Sequence, residues 1–260
     1  MIGQKTKGRE FRNVELIGVA GDWHGDGEWG IKVINRLSRH GVRKVIQVGD
    51  FGLWPGISGV RYLDLLNDAC RKTGVTIYTL RGNHDWNWWE ELLESDFSVV
   101  DHQSGGVYVR SHIVLLPRTG EFFLQGKSFY VAGGAVSVDK AWREPGISWW
   151  VEEQLTDAEV DAVPEHHYDV LLTHDASDKT PFTGRFKPDL ESKAHRQRID
   201  RVLAKTTPDL HFHGHFHTWY DWHNQVGPNA WTQTYGLAMN GMSSSTGILD
   251  TSTMKFQVVI

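Results

Sequence analysis

The strongest constraint on the fold is a pattern that recurs five times: an apolar run that predicts a strand ends in a short polar cluster. The segments ELIGVAGD and KVIQVGD show it, with a helical pattern between them that stops at Gly41. Strand, helix and strand in this order predict a βαβ unit. Residues just beyond the ends of parallel strands converge on one crevice. The clusters are GDWHG (21–25), GD (49–50), GNHD (82–85), HD (174–175) and GHFH (214–217).

The rest of the chain predicts helices and antiparallel strands around this core. Residues 111–136 contain short β-rich runs separated by glycine turns, which favours hairpins. Residues 86–96 and 192–206 predict helices, and residues 246–260 predict a closing hairpin. We therefore expect an α/β fold of mixed topology. Its length suits a single domain over residues 1–260.

Composition gives no support for several classes of partner. The formal net charge is -5, so no bulk electrostatic argument favours duplex nucleic acid or an anionic membrane. Cys70 is the only cysteine, which excludes an intrachain disulfide and fits a reducing compartment. No signal-peptide pattern and no run of 18 apolar residues occurs. We expect a cytoplasmic protein without a membrane partner.

The polar clusters together offer two aspartates, one asparagine and four histidines as metal ligands. Mixed nitrogen and oxygen donors suit a pair of borderline divalent ions better than calcium or magnesium alone. The expected cofactors are thus two divalent ions, Mn, Fe, Zn or Ni, with manganese favoured in vitro. A single GD would be weak evidence, whereas five clusters in this order at strand ends are a specific signal.

The ordered set DWH, GD, GNHD, H and GHFH resembles the calcineurin-like metallophosphoesterase superfamily, and within it the small bacterial and phage members. The match runs from about Asp22 to His217. The resemblance implies an αββα four-layer sandwich, two mixed β-sheets flanked by helices, around a dinuclear metal centre. It also implies ester hydrolysis by a metal-bridging hydroxide, which two ions would make available near neutral pH.

The resemblance also assigns roles to individual residues. Asp50 would bridge the two ions, and His84 would face the substrate, where an imidazolium would stabilise charge or protonate the leaving oxygen. The remaining implied ligands fall into two groups of three: Asp22, His24 and His217 on one ion, and Asn83, His174 and His215 on the other.

The run HFHGHFH therefore divides into two parts. His215 and His217 are the expected ligands in the loop. His211 and His213 alternate with apolar residues on the preceding strand, and we interpret them as strand residues. One of the two remains a candidate to hydrogen-bond a ligand.

The sequence departs from the phosphoprotein phosphatases of this superfamily after Asp50. Those enzymes carry GDxxDR, whereas this chain has GDFGLW, with Leu53 and Trp54 at the positions of the orienting Asp and the phosphate-binding Arg. A phosphodiesterase is therefore favoured, because a monoanionic diester needs less positive charge than a dianionic monoester. Lys140 and Arg143, in the segment GGAVSVDKAWREPGISWW, are candidates to bind substrate phosphate, with a surface loop as the alternative.

We expect a small phosphoester substrate, such as a nucleotide-type phosphodiester. Three alternatives stay open: a metal-dependent nuclease acting on DNA or RNA, a phosphomonoesterase, and a non-catalytic scaffold of the same fold. The net charge disfavours the nuclease, and the complete set of ligand positions disfavours the scaffold.

Overall fold

Two β-sheets form the centre of the protein in the computed structural model, which describes residues 15–86, 99–181 and 189–260. The strands are β1 (Leu16–Ala20), β2 (Lys44–Gln47), β3 (Thr76–Thr79), β4 (Val107–Arg110), β5 (Ile113–Leu115), β6 (Thr119–Leu124), β7 (Lys127–Ala132), β8 (Val170–Thr173), β9 (Leu210–His213), β10 (Tyr220–Gly227), β11 (Ala230–Gly236), β12 (Thr246–Asp250) and β13 (Lys255–Val258). The helices are α1 (Gly27–Arg39), α2 (Gly56–Thr73), α3 (Asp157–Asp161) and α4 (Leu190–Thr206).

Both sheets are mixed, as predicted. The first has the order β13-β12-β1-β2-β3-β5-β4, in which β1, β2, β3 and β5 run parallel. The second has the order β10-β11-β9-β8-β7-β6, in which β7, β8, β9 and β11 run parallel and the two edge strands are antiparallel to their neighbours. The predicted C-terminal hairpin is confirmed as the antiparallel pair of β12 and β13.

Three layers of buried side chains hold the sheets and helices together. One lies between the first sheet and helices α1 and α2, and includes Ile34 and Leu63. A second lies between the sheets, with Ile17 on one side and Phe212 on the other. The third packs α4 on the second sheet through Ile199. Helix, sheet, sheet and helix in this order confirm the predicted αββα sandwich.

Local signals in the sequence explain where the helices begin and end. Asp26 accepts a hydrogen bond from the Trp29 backbone N–H at the start of α1. Asp189 caps α4, which begins at Leu190, two residues before the prediction. Gly74 adopts φ 69° and ends α2. The helix predicted for residues 86–96 lies, apart from Trp86, outside the described residues.

Two further expectations concern Cys70 and membrane spans. Cys70 is buried in α2, and burial raises the pKa of its thiol to about 12, as suits an unreactive core residue. Among the helices of the described ranges, none is long and apolar enough to cross a membrane.

Candidate metal centre

The polar clusters meet at the carboxyl ends of strands from both sheets. Asp22 follows β1, Asp50 follows β2 and Asn83 follows β3 in the first sheet. His174 follows β8, and the loop with His215 and His217 follows β9, in the second sheet. Because the two sheets pack face to face, these strand ends lie side by side, and loops from both sheets form the site.

The first group of side chains surrounds two buried carboxylates. Asp22 and Asp50 are 0% and 1% exposed. Oδ2 of Asp22 lies 3.0 Å from Nε2 of His217, and Oδ2 of Asp50 lies 3.5 Å from Nε2 of His24. Potential ligand atoms of these four residues all lie within 4.8 Å of one another. Such a cluster is a candidate metal site.

The second group shares Asp50 with the first. Nε2 of His174 lies 3.3 Å from Oδ2 of Asp50 and 3.1 Å from Oδ1 of Asn83. The ring centroid of His215 lies 5.1 Å from that of His174. Asp50 is therefore in contact with a member of each predicted ligand triplet.

Hydrogen bonds orient two of the histidine rings toward the centre. Nδ1 of His174 donates to the carbonyl of Val48 at 2.8 Å. Nδ1 of His24 donates to Oδ1 of Asn240 at 3.1 Å. Both rings therefore point Nε2 at Asp50, as is typical of metal-ligating histidines. Nitrogen and carboxylate donors in this arrangement fit the predicted divalent ions.

The backbone of the site is strained at four candidate ligands. His24, Asp50, His215 and His217 have φ of 46°, 52°, 67° and 54°, in the left-handed region. For a non-glycine residue this conformation costs about 1–2 kcal/mol. The described residues contain eight non-glycine positions with positive φ, and half of them are in this site. Strain concentrated in one place is typical of functional sites.

Two glycines allow the loops to approach the carboxylates. A Cβ atom at Gly214 would overlap Oδ1 of Asp22, and one at Gly82 would overlap Oδ1 of Asp50. The backbone N–H of His215 donates to Asp22, and that of His84 donates to Oδ1 of Asp50 at 2.8 Å. The small residues beside the ligands are thus required for backbone-to-carboxylate contact.

Comparison with known proteins decides the family. A family model described as calcineurin-like phosphoesterase matches residues 16–219. The chain belongs to this family. No curated protein sequence matches it.

Two solved structures share the fold of this calcineurin-like phosphoesterase. The crystal structure of TT1561 of Thermus thermophilus is 15% identical, covers 95% of this chain and 99% of its own, and has a TM-score of 0.54. The crystal structure of a dimetal phosphatase from Danio rerio is 12% identical, covers 90% of this chain and 92% of its own, and has a TM-score of 0.51. Identities this low establish similarity of fold alone.

The carboxylates and histidines of the centre shift one another's pKa values. Burial raises the pKa of Asp50, but the charges of His174 and His84 and the hydrogen bonds from His174 and His24 together hold that pKa well below its usual value. Burial disfavours the charged form of both histidines, yet Asp50 raises the pKa of His24 to about 9 and that of His174 to about 10. Protons on His24 and His174 therefore balance the negative charge of the buried carboxylates in this calcineurin-like phosphoesterase.

We expect metal binding to release protons. A solution pH of about 8 is below the pKa of both His24 and His174, so both rings carry an extra proton. Each ring must lose a proton before Nε2 can bind an ion. Manganese titration calorimetry in buffers of different ionisation enthalpy should show release of about two protons per chain. A heat that is the same in all buffers would contradict these charge states.

In the metal-free protein, the stability contributed by these raised pKa values is complete below the unfolded pKa of 6.5 and is lost as pH rises through 9 to 10.

His84 lies beside the centre in contact with Arg143. Nε2 of His84 is 3.9 Å from Oδ2 of Asp50, and Nη2 of Arg143 contacts the same ring nitrogen. Burial lowers the pKa of His84, the charge of Asp50 opposes this effect, and the charge of Arg143 adds to it. The contact with Arg143 fits a neutral imidazole, because a guanidinium can only donate to a neutral imidazole nitrogen. That an imidazolium faces the substrate stays a prediction.

The two predicted phosphate-binding residues have different surroundings. Arg143 is brought to the site, where Nη2 also lies 2.8 Å from Oδ1 of Asp139. Lys140 forms an ion pair with Glu191 at the start of α4. The structure thus joins Arg143, but not Lys140, to the residues around Asp50.

Sequence reasoning missed two residues that organise the site. Asn240 orients His24 and donates to Oδ2 of Asp26 at 3.1 Å, and no motif surrounds it in the sequence. Asp85 accepts backbone N–H bonds from residues of two loops: Phe51, Gly52, Leu53 and Gly82. Asp85 thereby ties the loop after β2 to the GNHD loop, and its place in the fourth cluster was the available signal.

The strand histidines have partners outside the metal centre. Thr173 donates to the carbonyl of Asp175, so Nε2 of His211 donates to the Thr173 hydroxyl at 2.7 Å. Nδ1 of His213 donates to the carbonyl of Gly214 at 3.0 Å, and its Nε2 contacts the Tyr220 hydroxyl. Both histidines are completely buried. Burial lowers the pKa of each, which suits neutral structural residues.

We expect His211→Ala to reduce stability rather than chemistry. Loss of a buried hydrogen-bond donor should lower the free energy of unfolding by about 1–3 kcal/mol. Turnover should stay within about threefold of the wild type, because His211 bonds Thr173 outside the metal centre. A threefold change corresponds to less than 1 kcal/mol in activation free energy. Denaturant unfolding and steady-state kinetics on His211→Ala and His215→Ala would test the division of the run. Equal loss of turnover in both variants would contradict it.

Proposed function

We propose that this calcineurin-like phosphoesterase is a dinuclear-metal-dependent phosphodiesterase that hydrolyses a nucleotide-type or other small phosphodiester. The family membership establishes a phosphoesterase domain, and the candidate metal cluster supports dependence on divalent ions. The observation that carries the dinuclear form is the position of Asp50. Its carboxylate contacts His24 from one predicted triplet and His174 from the other.

In this proposal the chain holds two ions through seven residues. Asp50 is shared, and the other ligands are Asp22, His24, His217, Asn83, His174 and His215. Two bound ions would neutralise phosphate charge and supply an activated water nucleophile near neutral pH. Manganese is the ion we favour for reconstitution.

The protein's own charges around His84 support a diester substrate. Arg143 brings a guanidinium to the site, but Asp139 pairs with it at 2.8 Å. The pair adds little net positive charge to that supplied by metal ions. A monoanionic diester therefore fits better than a dianionic monoester. In this position Arg143 would donate to a non-bridging oxygen of the substrate, and His84 would lie beside the reacting group.

A phosphomonoesterase is the second candidate, and Arg143 is the residue that favours it. If substrate draws Arg143 away from Asp139, the site gains the cation that GDFGLW lacks. This would replace the arginine of the GDxxDR pattern from a different part of the chain.

The experiment that separates the two compares matched mono- and diesters in manganese. We expect kcat/KM to be higher for the diester, and Arg143→Ala to lower it by about 10- to 100-fold for both substrates, as for loss of a charged contact of about 1.4–3 kcal/mol. Lys140→Ala is the matched control, because Lys140 pairs with Glu191. A monoester preference that disappears in Arg143→Ala would contradict the phosphodiesterase assignment.

We further propose that residues 1–260 act as one catalytic domain in the cytoplasm. Strands from the two ends of the described chain support the first point, since β1, β12 and β13 lie in one sheet. The single cysteine supports the second.

A further inference from the structure

We infer that a buried hydrogen-bond chain from Glu153 through Ser137 determines which atom of Asn83 faces the metal centre. Ser137 and Glu153 would then be positioning residues, contributed by the segment GGAVSVDKAWREPGISWWVEE (residues 133–153). This inference rests on the proposed role of Asn83 as a metal ligand. It gives a function to a segment that the metal-ligand motifs leave unexplained.

The three residues form a sealed chain of contacts. Asn83, Ser137 and Glu153 are 2%, 1% and 0% exposed. Ser137 Oγ lies 2.9 Å from Nδ2 of Asn83 and 2.5 Å from Oε2 of Glu153. The Ser137 backbone N–H also donates to Oε1 of Glu153 at 2.8 Å. Each contact is therefore made without competition from bulk water.

Backbone hydrogen bonds fix this segment to the loop that carries Asn83. The N–H of Gly134 donates to the carbonyl of Arg81 at 2.8 Å. The N–H of Ala135 donates to the carbonyl of Glu153 at 3.1 Å. The two ends of the segment are thus joined to each other and to the GNHD loop, so Ser137 has a defined position relative to Asn83.

Counting protons assigns the asparagine amide. The Ser137 hydroxyl has one proton, and Glu153 is an acceptor on both oxygens when ionised. If that proton goes to Oε2 of Glu153, Ser137 Oγ can only accept from its third neighbour. The atom of Asn83 that faces Ser137 must then be the NH₂ group. Oδ1 consequently faces His174, 3.1 Å from Nε2, which is the side of the metal centre.

Two hydrogen bonds from Ser137 favour the ionised form of the Glu153 carboxylate. Burial raises the pKa of Glu153 above its usual value, and the two hydrogen bonds from Ser137 and the charge of Arg143 limit that rise. Burial lowers the pKa of Arg81, and the charge of Glu153 opposes that lowering; the Arg81 guanidinium has no hydrogen-bond partner among the described residues. Hydrogen bonds to an ionised carboxylate are stronger than neutral ones, so the direction of the chain is well defined.

The test reverses the direction of this hydrogen-bond chain. In Asn83→Asp, an acceptor oxygen would face the acceptor Ser137 Oγ, and the site should bind manganese poorly. In the double variant Asn83→Asp/Glu153→Gln, the new amide at position 153 can donate to Ser137 Oγ. The hydroxyl proton then becomes available to the new carboxylate at position 83. The double variant should therefore bind manganese at least about 10-fold more tightly than Asn83→Asp alone, on the scale of an outer-shell effect.

Single variants provide the forward test. Ser137→Ala and Glu153→Gln should each weaken one of the two manganese sites by about 10- to 100-fold and leave the other unchanged. Glu152→Gln is the matched control, since Glu152 is the neighbouring carboxylate and is exposed. Calorimetric titration gives the number and affinity of the sites, and thermal unfolding of each metal-free variant reports its stability.

The outcomes separate this inference from the proposed function. Wild-type protein that binds fewer than two manganese ions would overturn the proposed function and this inference with it. Two sites in the wild type, with unchanged affinities in Ser137→Ala and Glu153→Gln, would overturn the inference alone. A double variant no better than Asn83→Asp would do the same. General destabilisation cannot imitate rescue, because a second destabilising change would weaken binding further.

Discussion

Asp50→Asn is expected to lower kcat/KM for phosphoester hydrolysis by at least about 10³-fold, which corresponds to about 4 kcal/mol of transition-state stabilisation. The amide has the shape of the carboxylate and can still accept the His84 backbone N–H through Oδ1. It lacks the negative charge that Asp50 places between His24 and His174. A neutral group between two cations would leave their repulsion uncompensated.

Kinetics with bis-p-nitrophenyl phosphate in manganese, together with a metal count per chain, would measure this effect. Asp101→Asn is a suitable control. Asp101 is a buried aspartate that accepts hydrogen bonds from Ser104 and Tyr108, beside the edge strand β4. That variant should lose stability but retain turnover. Asp50→Asn with two bound ions and a kcat within about tenfold of the wild type would contradict a bridging role, since tenfold is only about 1.4 kcal/mol.

Gly214→Ala is the second change with a large expected effect, although it adds a single methyl group. Its Cβ would overlap Oδ1 of Asp22, a carboxylate that has no exposed surface through which to retreat. The overlap must displace either Asp22 or the loop that carries His215 and His217. We expect weaker manganese binding and a fall in kcat/KM of at least about 100-fold, near 3 kcal/mol.

Gly227→Ala separates crowding at the site from a general effect of replacing glycine in a strand or loop. At Gly227, in the β10–β11 hairpin, the nearest atom to an added Cβ is the Cβ of Ala230, at an ordinary 3.4 Å. That variant should bind manganese and turn over like the wild type. Full manganese affinity in Gly214→Ala, measured by calorimetry, would show that the close approach is not needed.

Local sequence patterns predict the strands of this protein and the positions where they end. Apolar runs followed by GD or GNHD identify strands and place their ends, and parallel strands bring those ends together. Strand alternation also separated His211 and His213 from the loop histidines, in agreement with their buried hydrogen bonds. The four layers and the assignment of ligands came instead from the resemblance to a family.

The remaining features depend on contacts between residues distant in sequence. His24 and Asn240 are 216 positions apart, and no periodicity connects them. The contact of Arg143 with His84 requires a loop of the second half to cross the site. Left-handed backbone at Asp50 is equally hidden, because aspartate adopts it only where the surrounding structure enforces it. Such features follow from tertiary packing, which outweighs local preference.

The central claim is that Asp50 joins two metal ions in one site. The most direct measurement is anomalous diffraction at the manganese edge from crystals of the manganese-loaded protein. Our account predicts two peaks per chain, one beside Asp22, His24 and His217 and the other beside Asn83, His174 and His215, with Asp50 oxygens coordinating both. A single fully occupied peak beside a well-ordered second triplet without an ion would contradict it.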